Sequence, residues 1–123
     1  MIQKLKFLAI IFILTTTLVS CTKAAQTKPP DALESTVIEF KNGQSNPSKI
    51  TIKQNQKVTF VNQSDQDIWP ASNIHPTHSI YPEFDPQKPV KPGQSWSFTF
   101  TKAGIWRFHD HLSPEITGTI TVE

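Results

Sequence analysis

The stretch Ser95–Val122, SWSFTFTKAGIWRFHDHLSPEITGTITV, decides the fold. Its first residues alternate: Trp96, Phe98 and Phe100 fall on one face and Ser95, Ser97 and Thr99 on the other. A period of two marks a half-buried strand, because successive side chains leave the pleat on opposite sides. After the turn signal KAG the alternation resumes with Trp106, Phe108 and Asp110, and TITV closes it with Ile120 and Val122. Upstream, TVIEFK pairs Ile38 with Phe40, KITIK pairs Ile50 with Ile52, and KVTFVN pairs Val58 with Phe60. Turn-forming clusters separate these runs: NGQSNPS, QNQ and KPGQ. No segment shows a helical period and there is no internal repeat. The pattern predicts an all-β antiparallel sandwich whose alternate residues, Trp96 and Trp106 among them, fill the space between two sheets.

The segment from Gln63 to Lys91 breaks the rhythm. It holds Trp69, Tyr81 and a series of prolines, and is far longer than a hairpin needs, which marks a loop with a role of its own. All four histidines sit in two tight clusters, His75 and His78 in HPTH within this loop, and His109 and His111 in HDH at a strand end. A lone histidine usually satisfies a local polar contact. Two imidazole pairs that a sandwich brings to one pole instead supply the nitrogen ligands that suit copper and zinc. Glu83 and Asp85 are possible oxygen donors but read more simply as solvated loop charges, and Trp69 reads as an aromatic cap.

The amino terminus predicts the compartment. Residues 1–20 carry Lys4 and Lys6, then the apolar run FLAIIFIL, then LVS before Cys21, the chain's single cysteine. This is the layout of a bacterial lipoprotein signal peptide, with Cys21 as the lipidated first residue. The apolar run is shorter than the roughly 20 residues a permanent span requires. Residues 21–35, rich in small, polar and proline residues, read as a lipidated flexible tether, and residues 36–123 as the domain. The expected location is therefore the periplasmic side of the bacterial cell envelope, anchored to the membrane through the N-terminal lipid. Removing Lys4 and Lys6 with the leader leaves as many basic as acidic residues, so the mature chain is formally neutral. There is no basic stripe and no nucleic-acid partner is expected. With one cysteine no disulfide forms within the chain, and stability rests on one packed core.

The sequence VTFVNQS, a histidine-bearing loop, and then KPGQSWSFTFTKAGIWRFHDHLSPEITGTITV resembles the cupredoxin family, in particular its plastocyanin-like members. The likeness covers nearly all of residues 36–123 and implies a Greek-key β-sandwich with a metal pole. It puts His78, in THSI, at the first ligand position and Asn62 in contact with the loop. The interval from Gly104 to Gly118 has the family's ligand-loop length, but the positions of cysteine, second histidine and methionine fall on Asp110, Ser113 and Ile116. A blue centre depends on a copper thiolate bond, so this is a variant lacking the blue-copper cysteine.

Strand alternation sets a constraint on what replaces it. Asp110 shares a face with Trp106 and Phe108, while His109 and His111 face the other way. If the strand ends near His109, His111 is free to turn toward His78. The candidate metal site is then His78 with His111, completed by His75, His109 or Asp110, the last either binding or orienting an imidazole. Copper is the expected cofactor and zinc the alternative. No nucleophile stands beside a base, so an enzyme is not expected. The expected function is metal binding or delivery by an envelope lipoprotein, with an envelope protein as exchange partner. The alternatives are electron transfer through an atypical copper centre and a metal-free recognition module on the same scaffold.

Overall fold

In the computed structural model, which describes residues 36–123, β1 (Thr36–Lys41) turns through Asn42 and Gly43 into β2 (Gln44–Asn46). Both turn residues have positive φ, 52° and 70°, the requirement of the tight hairpin that Asn-Gly favours. β3 (Lys49–Ile52), β4 (Lys57–Asn62), β5 (Pro70–Ser72), β6 (Ser95–Thr99), β7 (Gly104–Asp110) and β8 (Ser113–Val122) follow. The expected signal peptide, tether and Cys21 lie outside the described residues.

The strands form two sheets, ordered β2-β1-β4-β6 and β3-β8-β7-β5. From β2 to β7 the chain changes sheet at every step, and this explains one departure from expectation. β1 pairs with β4, and β3 with β8, in parallel, so the sandwich is mixed and not purely antiparallel. Strands joined through the opposite sheet return in the same direction, whereas a hairpin must reverse. β2 and β5 are the two strands without a sequence signal, each only three residues long.

The core forms where the inward faces meet. Ile38, Phe40, Val58, Phe60, Phe100, Phe108 and Ile120 are at most 1% exposed. Burying each such side chain contributes about 1.5–3 kcal/mol relative to leaving it in water. Trp96 and Trp106 pack against this core but are only partly buried, because β6 is a sheet edge and Trp106 turns its indole N–H outward to the Lys102 carbonyl, 2.9 Å away. All these residues fall within one unit of the chain, so the domain carries its own core.

The long loop is part of that core. Phe84 is fully buried and lies parallel to Trp96, ring centroids 5.8 Å apart, while Tyr81 packs on Phe98, Phe100 and Trp106. Asn62 ties the loop's two ends, its Nδ2 donating to the carbonyls of Gln66 and Val90 and its Oδ1 accepting from Ser64. The buried hydroxyl of Ser72 is bonded to the carbonyls of His78 and Tyr81 at 2.7 and 2.9 Å. Two aromatic anchors thus fix the loop, with His75 and His78 just before them and Asp85 just after.

Candidate metal centre

β7 delivers His109 and His111. Its pairing with β8 is regular through His109, then the register shifts between His109 and Asp110. Before the shift, Phe108 faces the core and His109 the opposite side. Beyond it the chain turns, and the His111 N–H bonds the Trp69 carbonyl at 2.8 Å. His109 and His111, two residues apart and so on one face by alternation, keep ring centroids 6.2 Å apart, and the residues skipped at the shift are those of β8 between Ser113 and Thr117. His78 arrives from the loop with φ at 51°, a left-handed conformation that residues with a β-carbon seldom adopt. Its N–H bonds the Ile74 carbonyl at 2.7 Å, and Ser72 holds its own carbonyl. Sparsely populated backbone held in place from both sides tends to mark functional positions.

The four imidazoles meet as a quartet in which loop and strand-end rings alternate. His75 lies 5.2 and 4.8 Å from His109 and His111, and His78 lies 5.3 and 4.9 Å from the same two, between ring centroids. His78 Nε2 and His111 Nδ1 face each other at 2.9 Å, and His75 Nδ1 and His109 Nε2 at 3.2 Å. One ligand nitrogen each from His75, His109 and His111 all lie within 4.8 Å of one another. With metal to nitrogen bonds of about 2.0–2.1 Å, two nitrogens on one ion sit at most about 4 Å apart, so the set fits an ion after a small contraction.

Outer partners fix which nitrogens face inward. Asp85 Oδ2 lies 2.6 Å from His78 Nδ1, and a carboxylate can only accept, so the proton sits on Nδ1 and leaves the Nε2 lone pair turned to the quartet. Asn73 Oδ1, 3.0 Å from His109 Nδ1, does the same for His109. Carboxylates and carbonyl oxygens behind ligating histidines set the tautomer and raise ligand basicity in just this way. Burial acts to raise the Asp85 pKa, but hydrogen bonds from the Gln87 N–H, His78 and the Trp69 indole outweigh it and keep the carboxyl ionised. The Trp69 ring packs 5.0 Å from His111 while its Nε1–H bonds Asp85 at 2.8 Å, so one indole braces both sides of the quartet.

Two of the rings are held toward the neutral form. His109 is 2% exposed, and burial first, then the neighbouring His78, His75 and His111, lower its pKa to about 4. Burial and the same crowding lower His111. Neutral imidazole is the form that ligates a metal.

Of the residues expected at the site, the structure gathers His75, His78, His109 and His111 and sets Asp110 apart. Asp110 is buried, and its Oδ1 accepts the N–H groups of Trp69 and Leu112 at 2.8 and 3.1 Å. Burial raises its pKa against those two bonds, and Glu115 adds to the rise. The carboxylate that orients an imidazole is Asp85, whose solvated-loop reading is corrected here, and not Asp110. Glu83 does stay at the surface, paired with Lys102 at 3.0 Å. Asn73 carried no sequence signal, since an asparagine in a loop is most simply a turn residue.

A family model described as a cupredoxin-like domain matches residues 8–122. The chain belongs to the cupredoxin-like family. Among solved structures, the reduced Cu(I) form at pH 4 of an amicyanin variant is similar with a TM-score of 0.63 and 21% identity, over 72% of this chain and 82% of that one. A purple cupredoxin from Nitrosopumilus maritimus matches with a TM-score of 0.63 and 18% identity, over 72% of this chain and 100% of that one. Comparison with curated protein sequences finds no match.

This cupredoxin lacks the blue-copper cysteine, its single cysteine being Cys21. Asp110, Ser113 and Ile116, the positions that the resemblance assigns to blue-copper ligands, line a cleft with Ile68 and no histidine. His78 is not in that cleft; it lies with His111. The residues there do not fit a blue centre, whereas His75, His109 and His111, with His78 beside them, have the donors for a metal.

Proposed function

We propose that this protein is an envelope lipoprotein whose cupredoxin domain binds a metal ion, copper first and zinc second, through the histidine quartet for metal binding or delivery. The observation that carries the reading is the convergence of four imidazoles with two inward lone pairs, on His78 and His109, preset by Asp85 and Asn73. No methionine or cysteine occurs in residues 36–123, so no soft sulfur joins the set. All-imidazole sites suit Cu(II) and Zn(II), while thiolate and thioether ligands favour Cu(I). When bound, copper would supply a Lewis-acidic, redox-active centre. The chain's own part is to gather four imidazoles, to keep the Nδ1–H groups of His78 and His109 donating to Asp85 and Asn73, and to cover His111 with Trp69.

The location belongs to the same proposal. Residues 1–20 act as the signal, Cys21 carries the lipid, residues 21–35 form the tether, and the domain presents its site to an envelope partner that exchanges metal. The test titrates residues 22–123 with Cu(II), Cu(I) and Zn(II) while recording stoichiometry, visible absorption and spin resonance, and repeats it with His78→Ala and His111→Ala. One equivalent of Cu(II), lost in either variant and without an intense thiolate band, is expected. Absence of stoichiometric binding sinks the reading. Reversible cycling between copper oxidation states would move the function from carriage to electron transfer.

A further inference from the structure

On the outer face of the second sheet, β3, β8 and β7 align a row that the metal reading leaves unused. Lys49 pairs with Thr119, and Thr119 with Arg107, so the threonine hydroxyl lies between two long cationic side chains. Two residue pairs along, and so on the same face, His109 faces Thr117. Over this row runs a cleft of about 430 Å³, lined by Lys49, Arg107, Thr117, Thr119, Ser48 and Asn73 among others and by no carboxylate. Neither the Lys49 ammonium nor the Arg107 guanidinium has an ion pair or hydrogen bond among the described residues.

Three of the cleft's backbone acceptors are already engaged. The Arg107 carbonyl takes the Asn73 N–H at 2.9 Å, the Ser48 carbonyl takes the Thr119 N–H at 2.8 Å, and the Asn73 carbonyl takes the Ile80 N–H at 2.9 Å. Asn73 Oδ1 is committed to His109, so the group Asn73 has left to offer is its NH2 donor pair. What remains is a guanidinium, an ammonium, an amide NH2 and hydroxyls that can donate, with two positive charges and no counter-ion among the described residues.

We propose that this cleft is an oxyanion site, in which Lys49 and Arg107 neutralise, and Thr119 and Asn73 hydrogen-bond, a small dianion of the phosphate or dicarboxylate class. Arginine matches the planar edge of such groups bidentately and lysine adds a point charge. Through Asn73 the bound anion touches the residue that orients His109, so the site reports on the quartet without being part of it.

The test uses metal-free residues 22–123, so its outcome is independent of whether the quartet binds a metal. Amide and histidine-ring resonances are followed while inorganic phosphate, succinate, or sodium chloride at matched ionic strength is added. Saturable one-site binding of phosphate or succinate is expected, with shifts centred on Lys49, Arg107, Thr119 and Asn73 and a smaller one on the His109 ring. Whichever of the two saturates assigns the class. Arg107→Gln and Lys49→Gln should each weaken binding about tenfold, as loss of a charge-assisted hydrogen bond does. Both residues are exposed, and unchanged spectra elsewhere show that each variant folds. Chloride reproducing the shifts, no saturation with either anion, or undiminished binding in the double variant would each overturn the proposal.

Discussion

Asp85→Asn exchanges a carboxylate for an amide of nearly the same shape, behind a histidine of the quartet. In the native domain Asp85 Oδ1 accepts the Trp69 Nε1–H at 2.8 Å and the Gln87 N–H at 2.7 Å, and Oδ2 faces His78 Nδ1 at 2.6 Å. The two donors on Oδ1 hold the asparagine oxygen where Oδ1 was, which turns the NH2 toward His78. His78 Nδ1 must then accept, and its proton moves to Nε2, pointing at His111 Nδ1. A metal has to displace that proton, or the amide has to flip and give up two hydrogen bonds worth about 0.5–1.5 kcal/mol each. The expected loss is about 1.4–2.7 kcal/mol, or about 10- to 100-fold in metal affinity, the range seen when partners of ligating histidines are removed. Asp85→Ala leaves His78 free to choose its tautomer but unpairs the Trp69 and Gln87 donors, so its stability falls further, by about 2–4 kcal/mol. Competition against a chromophoric chelator measures affinity, urea unfolding measures stability, and ring nitrogen shifts identify the tautomer. An asparagine variant that binds Cu(II) within about threefold of the native domain, with the His78 proton moved to Nε2, would refute the reasoning from outer partner to ligand basicity.

Three further outcomes follow from the packing and the electrostatics. Phe84→Ala removes a fully buried ring stacked on Trp96 and Phe98 and should cost about 3–5 kcal/mol in urea unfolding, with weaker metal binding because Asp85 is the next residue. Gly118→Ala would place a methyl 2.2 Å from Phe108 Cζ and 2.8 Å from the Ser48 carbonyl oxygen, so overpacking should lower the denaturation midpoint by the equivalent of about 1–3 kcal/mol or more. The metal-free domain should lose stability in acid: with a His109 pKa of about 4 when folded against 6.5 in the open chain, the unfolded state takes up the proton first. The contribution of His109 is complete above about pH 6.5 and lost as pH falls toward 4, and His109→Gln should flatten that part of the pH profile measured by thermal unfolding.

The strands β1, β4, β6 and β7 were legible because their alternation is local and strong: Ile38 with Phe40 and Val58 with Phe60 need no distant partner to declare a face. The parallel pairings were not, since the direction in which two strands meet depends on the path between them. The site divides in the same way. Clustering of His75, His78, His109 and His111 in two short phrases is a property of the sequence, as is the absence of cysteine from the ligand loop.

What the sequence by itself determined is therefore the class of sandwich, the clustering of its histidines and the lack of a cysteine in the ligand loop. What only the tertiary structure decided is the membership and orientation of the site. Alternation already puts His109 and His111 on one face; the closed fold brings His75 and His78 from the loop against them and leaves Asp110 with the Trp69 and Leu112 N–H groups. The buried rings of Tyr81 and Phe84 bring Asp85 back behind His78. Asn73 reaches His109 although 36 positions separate them in the chain. Strand periodicity is written between neighbours in sequence, whereas a loop anchor and a tautomer-setting oxygen act between residues that meet only after the sheets have closed.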